Sequence, residues 1–377
     1  MIIQKIHVNK HLPLPLYPTH LVPKLESVSR AKTKPLVLSI VTILIGVVCA
    51  FILGEILLRI YQQFNPTFVF PDRSYNRFRG KPYADDYNFK LNSKGFKDLE
   101  FAKQKQTESI RIVGIGDSFV FGVVPYEYNF LTLLEDRLRA EGLPVEILNM
   151  GIPGTSPSEY LSIFLHEGLD LQADIVMVCI FVGNDFEEVG RPPLIQSYIG
   201  SLIRYLFIRQ KEWKGNVVHS AKVYLDEQEG MSENKYLEIE AQRSHVFRRH
   251  DEQFAKTFQN TVLYLKQIRD ICHQQQCDLV VVVMPDEMQV DKDLQKRVMS
   301  KIGAIKPDEW DFSLPNRLLA SELEKLGIDF IDLLDAFKAR SHEMHLYRPQ
   351  DSHWNIAGNR IAADVLASQL PLILDKR

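Results

Sequence analysis

Four short stretches, far apart in a chain of 377 residues, carry side chains that could share one reaction. "GIGDSFVFG" places Ser118 between an aspartate and an aromatic, fenced by glycines, straight after a run of β-branched residues. "RPQDSHWNIAGNR" places Asp351 two residues before His353, ahead of a helical pattern that starts near Asn355. A serine hydroxyl is a weak nucleophile until a base takes its proton, and the base needs a third group to orient it. Acyl chemistry also needs donors aimed at the developing oxyanion, each worth about 10²–10³ in rate. "LNMGIPGTSP" offers the backbone N–H of Gly151, with no side chain in the way. "FVGNDFEE" offers the amide of Asn184. Each stretch alone is ordinary turn chemistry. The argument for a site lies in where the elements would put them.

Strand-like apolar runs occur at 110–115, 145–148, 174–181, 278–284 and 328–333, with helical periodicity at 130–141, 159–167, 253–272, 294–302, 316–326 and 355–370. Strands alternating with amphipathic helices predict a parallel sheet covered on both faces, and the unbroken hydrophobicity of the runs fits burial on both sides. Ligands bind such sheets at the carboxyl ends of the strands, near the reversal of strand order. Ser118 follows the first strand, Gly151 the second and Asn184 the third. One segment, 186–249, interrupts the alternation. In it Leu202, Ile203, Leu206 and Phe207 share a helical face opposite Arg204 and Lys211, as expected of a cap over the site or of a helix packed on the body.

With a serine, glycine, asparagine and histidine in this order, the chain resembles the SGNH (GDSL-type) hydrolases over residues 110–370. The resemblance implies a three-layer α/β/α fold with a five-stranded, parallel, doubly wound, flavodoxin-like sheet. It implies Ser118 as nucleophile, His353 as base, and Ser118 N–H, Gly151 N–H and Asn184 as the oxyanion hole. The first block has Phe119 where the family has leucine, a change of packing behind the nucleophile. The last block has Gln350 where the usual acid stands. "DSHW" is instead similar to the Asp-x-His-Trp of the alginate-acetylation branch, which assigns the acid to Asp351. The implied activity is cleavage of an O-acyl ester through an acyl-serine. Transfer to a sugar hydroxyl, or a silent binding or assembly subunit of a polysaccharide export complex, are the alternatives. Envelope or secreted carbohydrate is the implied substrate, other envelope-modification proteins are conceivable partners, and no cofactor or metal is required.

The first sixty residues set the location. Residues 1–35 hold six Lys or Arg against Glu26, a net +5 in a chain of net −3, so the rest is acidic at −8. An acidic body offers no electrostatic footprint for nucleic acid. Residues 36–54 hold no charge, and the apolar stretch runs on to Ile60, long enough to cross a bilayer and too long and too far from the start for a cleaved signal. The expected organisation is a poorly ordered cytoplasmic tail at 1–35 and a transmembrane signal anchor at 36–60. An irregular lead-in packed on the main domain follows at 61–108. The hydrolase domain spans 109–377 with its insertion at 186–249, and it faces away from the cytoplasm because the basic flank precedes the span. Among the four cysteines, Cys272 and Cys277 either pair or stay free and buried. Asp185, Glu187 and Glu188 read as a solvated acidic loop rather than a cation site. "SHEMH" is one residue short of a zinc helix, and "GIGDSF" lacks the third glycine of a dinucleotide turn.

Overall fold

The computed structural model describes residues 30–64, 82–187, 197–213, 223–304 and 306–375. Most of the basic tail, residues 1–29, lies outside them, as do 65–81 of the lead-in and 188–196 and 214–222 of the insertion. The chain divides into two compact units, Met1–Gly54 and Glu55–Arg377. Helix α1 (Arg30–Phe64) contains the 26-residue stretch Leu36–Tyr61, which is long and apolar enough to cross a membrane, with a mean hydropathy of 3.1 over an 18-residue window. A two-stranded ladder, β1 (Asp85–Asp86) and β2 (Phe89–Lys90), follows.

The second unit is built on alternation along its strands. In β3 (Ile110–Gly116), Val113 and Ile115 enter one core while Ile112 enters the other. The same split recurs in β4 (Val145–Gly151), β5 (Ile175–Phe181) and β6 (Asp278–Met284), and β7 (Asp329–Asp332) closes the edge. All five strands are parallel in the order β4-β3-β5-β6-β7. This is the expected three-layer α/β/α arrangement, and strand order reverses beside β3, where such folds bind ligands.

Short helix α2 (Ser118–Phe121) follows β3, and α3 (Phe130–Ala140) covers the Ile112 side together with α11 (Leu334–Arg340) and α12 (Ile356–Leu374). The opposite face takes α4 (Pro157–Ile163), α7 (Glu252–Gln275), α9 (Lys292–Lys301) and α10 (Leu314–Leu326). The insertion contributes α5 (Tyr198–Trp213) and α6 (Glu233–Arg243); α8 (Glu287–Val290) is a single turn after β6.

Buried charges tie the lead-in to this sheet. Arg111, fully buried on β3, donates to Glu146 at 2.7 Å and to the carbonyls of Leu171, Lys103 and Gln104. Lys97, also fully buried, donates to the carbonyls of Gly122 and Val124 just past α2 and pairs with Asp86. Burying a charge is costly unless it is paired and hydrogen-bonded, and both cations are. Cys179, Cys272 and Cys277 are buried thiols that are not joined in a disulfide.

Candidate active site

Ser118 is the first residue of α2, at the carboxyl end of β3. The turn that presents it is capped by Asp117, whose Oδ1 accepts the Phe119 N–H at 2.9 Å. No acceptor takes the Ser118 N–H among the described residues, as expected for a first-turn position. Phe119 packs behind the serine, its ring 4.1 Å from that of Phe181 and 5.1 Å from those of His353 and Trp354.

The loop before α12 brings a histidine to this serine. His353 Nε2 lies 2.8 Å from Ser118 Oγ, and His353 Nδ1 lies 2.6 Å from Asp351 Oδ1. A carboxylate accepting from Nδ1–H leaves Nε2 as the acceptor of the serine proton. Asp351 is fixed from both sides: its Oδ1 also accepts the His353 backbone N–H at 3.2 Å, and its Oδ2 accepts from Arg348 Nη1 at 2.9 Å. Burial works to raise this carboxyl, but the His353 hydrogen bond and charge, with Arg348, outweigh it and hold it below the usual range. Asp351 stands two residues before the histidine, directly after Gln350, which turns left-handed at φ 50°. The insertion braces the same loop. Gly230 N–H donates to Pro349 O, a Cβ there would meet Asp351, and Arg243 Nη1 donates to Ser352 Oγ at 2.5 Å.

Asn184 stands after β5, its Nδ2 donating to Asp117 Oδ2 at 3.1 Å. One of its two amide protons is so engaged, and the other remains for a ligand. Asp117 is fully buried, and burial raises its carboxyl despite the bonds from Phe119 and Asn184 and the nearby His353 and Arg243. The aspartate of the first block thus orients the asparagine of the third.

Gly151 does not fit the donor role expected of it. The strand continues to Gly151, which pairs with Gly116, and its N–H is taken by Asn149 Oδ1 at 2.9 Å. A Cβ at this position would lie 2.0 Å from Phe121 N, so the glycine is needed for the close approach of α2. Gly154, in the same loop, is exposed at φ 73° with nothing near its Cβ position, and no acceptor takes its N–H among the described residues. The loop is held beside the serine by Ile152 N–H and the Thr155 hydroxyl, both on Gly116 O. The acidic loop also departs from expectation. Asp185 is buried, with Oδ2 accepting Phe181 N–H at 2.8 Å and Oδ1 accepting the Tyr160 hydroxyl at 2.7 Å, so it closes the β5 turn instead of facing solvent. Among the described residues no cluster of side chains is arranged to hold a metal.

Sequence reasoning therefore missed Asp117, Arg348, Arg243 and Gly154. Asp117 and Gly154 stand inside the quoted blocks, and Arg348 opens the last one. Arg243 lies over a hundred residues away and left no local signal.

Residues 243–375 match the family model described as SGNH hydrolase-like domain, acetyltransferase AlgX. That span contains Asp351 and His353 but not Ser118 or Asn184. No curated protein matches the chain. Among solved structures, an acetyl xylan esterase, AlAXEase, is 14% identical, covering 69% of this chain and 100% of its own, at a TM-score of 0.41. The acetylxylan esterase Axe2 of Geobacillus stearothermophilus is 13% identical over 69% of this chain and 94% of its own, at 0.38. TesA is 9% identical over 70% and 99%, at 0.39. Likenesses so distant add nothing to the geometry.

Proposed function

We propose, from the match of residues 243–375 to the SGNH hydrolase-like AlgX acetyltransferase model, that the chain is a membrane-anchored serine enzyme of O-acyl esters, acting on extracytoplasmic carbohydrate. The observation that carries this reading is the unbroken chain Asp351–His353–Ser118, at 2.6 and 2.8 Å. His353 Nε2 takes the Ser118 proton as Oγ attacks the acyl carbonyl. The oxyanion is met by Ser118 N–H, the free amide proton of Asn184 and Gly154 N–H. Collapse expels the alcohol, protonated by His353, and leaves acyl-Ser118. His353 then deprotonates the acceptor, while Asp351 holds the imidazole tautomer and stabilises its cation without being protonated. Water as acceptor makes the enzyme an esterase. A sugar hydroxyl makes it an O-acetyltransferase, a second reading favoured by the AlgX match over the residues that hold the base and acid. The apolar Leu36–Tyr61 helix serves as anchor, with the basic tail cytoplasmic and the body outside.

A serine-reactive fluorophosphonate should label the detergent-solubilised chain and fail on Ser118→Ala. Absence of labelling on the native chain would point to a silent binding subunit. With an aryl acetate as donor and a soluble oligosaccharide as acceptor, the ratio of acetylated sugar to free acetate separates transfer from hydrolysis.

A further inference from the structure

The sequence offers the apolar face of α5 as a cap over the site or as a packing face, yet most of that face is turned outward, with Leu202 half-buried. Ile203, Leu206 and Phe207, spaced i, i+3, i+4, are 48%, 51% and 65% exposed. The other side of the helix does the packing: Tyr198 and Ser201 are each 3% exposed. A stripe of large apolar side chains in water needs an occupant.

The start of α5 says which. Glu55, on α1, accepts from the Ser197 hydroxyl and the Tyr198 N–H, each at 2.9 Å, and from the Ile199 N–H at 3.1 Å. First-turn N–H groups have no partner inside their own helix, so this carboxylate supplies one. Arg59 pairs with Glu55 at 2.6 Å and lies 4.5 Å over the Tyr198 ring. The uncharged run 36–54 is roughly 28 Å of helix at ~1.5 Å per residue, close to the ~30 Å of a bilayer's hydrocarbon. Glu55 is the first charge after that run, and its carboxylate is bonded to the beginning of α5. Residues 198–214 also carry Arg204, Arg209, Lys211 and Lys214 against Glu212, in a body that is otherwise acidic. An apolar stripe with basic residues is the composition of helices that lie in the membrane interface.

We propose that α5 is a membrane-interfacial helix: Ile203, Leu206 and Phe207 enter the headgroup–acyl boundary of the bilayer that α1 spans. The helix rests the body on the membrane and is not a lid over Ser118. This inference stands on the anchor reading above, and its test separates the two. The full-length chain, in Cys49→Ser background, is placed in nanodiscs of phosphatidylcholine and phosphatidylglycerol. A nitroxide is attached at Ile203→Cys, Phe207→Cys or Ile45→Cys; Cys179, Cys272 and Cys277 are buried and do not label. Collision with oxygen, concentrated in hydrocarbon, is compared with collision with a water-soluble nickel chelate. Oxygen should dominate several-fold at all three positions. Nickel dominance at 203 and 207 beside oxygen dominance at 45 overturns the interfacial helix and leaves the anchor standing. Nickel dominance at 45 as well overturns both. Spin–spin broadening between labels at 207 would give the face to a second copy and also overturn the proposal.

Discussion

Replacing Asp351 by asparagine should hurt catalysis more than removing the side chain altogether. Asp351 Oδ2 receives Arg348 Nη1 at 2.9 Å, while Oδ1 receives His353 Nδ1 at 2.6 Å and the His353 N–H at 3.2 Å. An asparagine has one oxygen for these two directions. Arg348 is a buried cation, 5% exposed, and a hydrogen bond to a charged group is worth about 1.5–3 kcal/mol, so the amide oxygen turns to it. The NH₂ then faces His353 and sacrifices only the long backbone contact. It donates to Nδ1, which forces the ring proton onto Nε2, the nitrogen that must accept from Ser118. Locking the wrong tautomer is worth on the order of 10⁴ in kcat, or about 5.5 kcal/mol. Asp351→Ala leaves the tautomer free, so the folded protein should lose less, about 10²–10³-fold. The stabilities should order the other way. Alanine strands Arg348 without its partner, which costs about 3–5 kcal/mol, whereas asparagine keeps that bond. The assay is kcat for a short-chain aryl ester together with Tm for the native chain and both variants. An asparagine variant within tenfold of native, or more active than the alanine variant, would refute the tautomer argument.

Three further outcomes are expected. Asn184→Ala should lower kcat by about 10²–10³ with KM little changed, because its bond strengthens mainly as charge develops in the transition state; a stable, fully active variant would remove Asn184 from the site. Gly151→Ala should cost about 3 kcal/mol or more, since its Cβ would lie 2.0 Å from Phe121 N and backbone has to move. Gly154→Ala, with open space around it, should cost only the ~1–2 kcal/mol of a left-handed alanine, and equal melting temperatures would contradict that contrast. Buried Asp98, which accepts from Asn149 N–H, Leu99 N–H and Tyr126, has its carboxyl pushed up to about 7, chiefly by burial. The folded chain therefore holds this proton more tightly than the unfolded one. The resulting stability is full below about pH 4 and is lost as pH rises to about 7, at most about 4 kcal/mol. Asp98→Asn, a mimic of the protonated form, should flatten the fall in Tm between pH 5 and 7.5, and an unchanged slope would remove Asp98 as its source.

The layers of the sheet were legible because their signal is local. The runs around Ile112, Ile147, Val178 and Val282 are unbroken and β-branched, and the helices between them repeat at 3.6, so class and strand sequence follow from periodicity alone. Ser118, His353 and Asp351 were legible for another reason: reactive residue types stand beside turn chemistry at the ends of those runs. Periodicity is silent on which donor of a block is free. Gly151 and Gly154 read alike in "MGIPGTSP", and only the Gly116–Gly151 register and the Asn149 side chain show that the first N–H is taken. Burial is equally invisible from a loop's composition. Asp185 belongs to an acidic stretch, yet it closes the β5 turn from inside the core. Arg243 reaches Ser352, and Glu55 holds the start of α5, across more than a hundred residues each. Sequence by itself determined what each segment is and which residues can react, because propensity and side-chain chemistry are properties of neighbours along the chain. Tertiary structure alone decided which carboxylate, cation and N–H meet which partner, because hydrogen bonding and desolvation depend on neighbours in space.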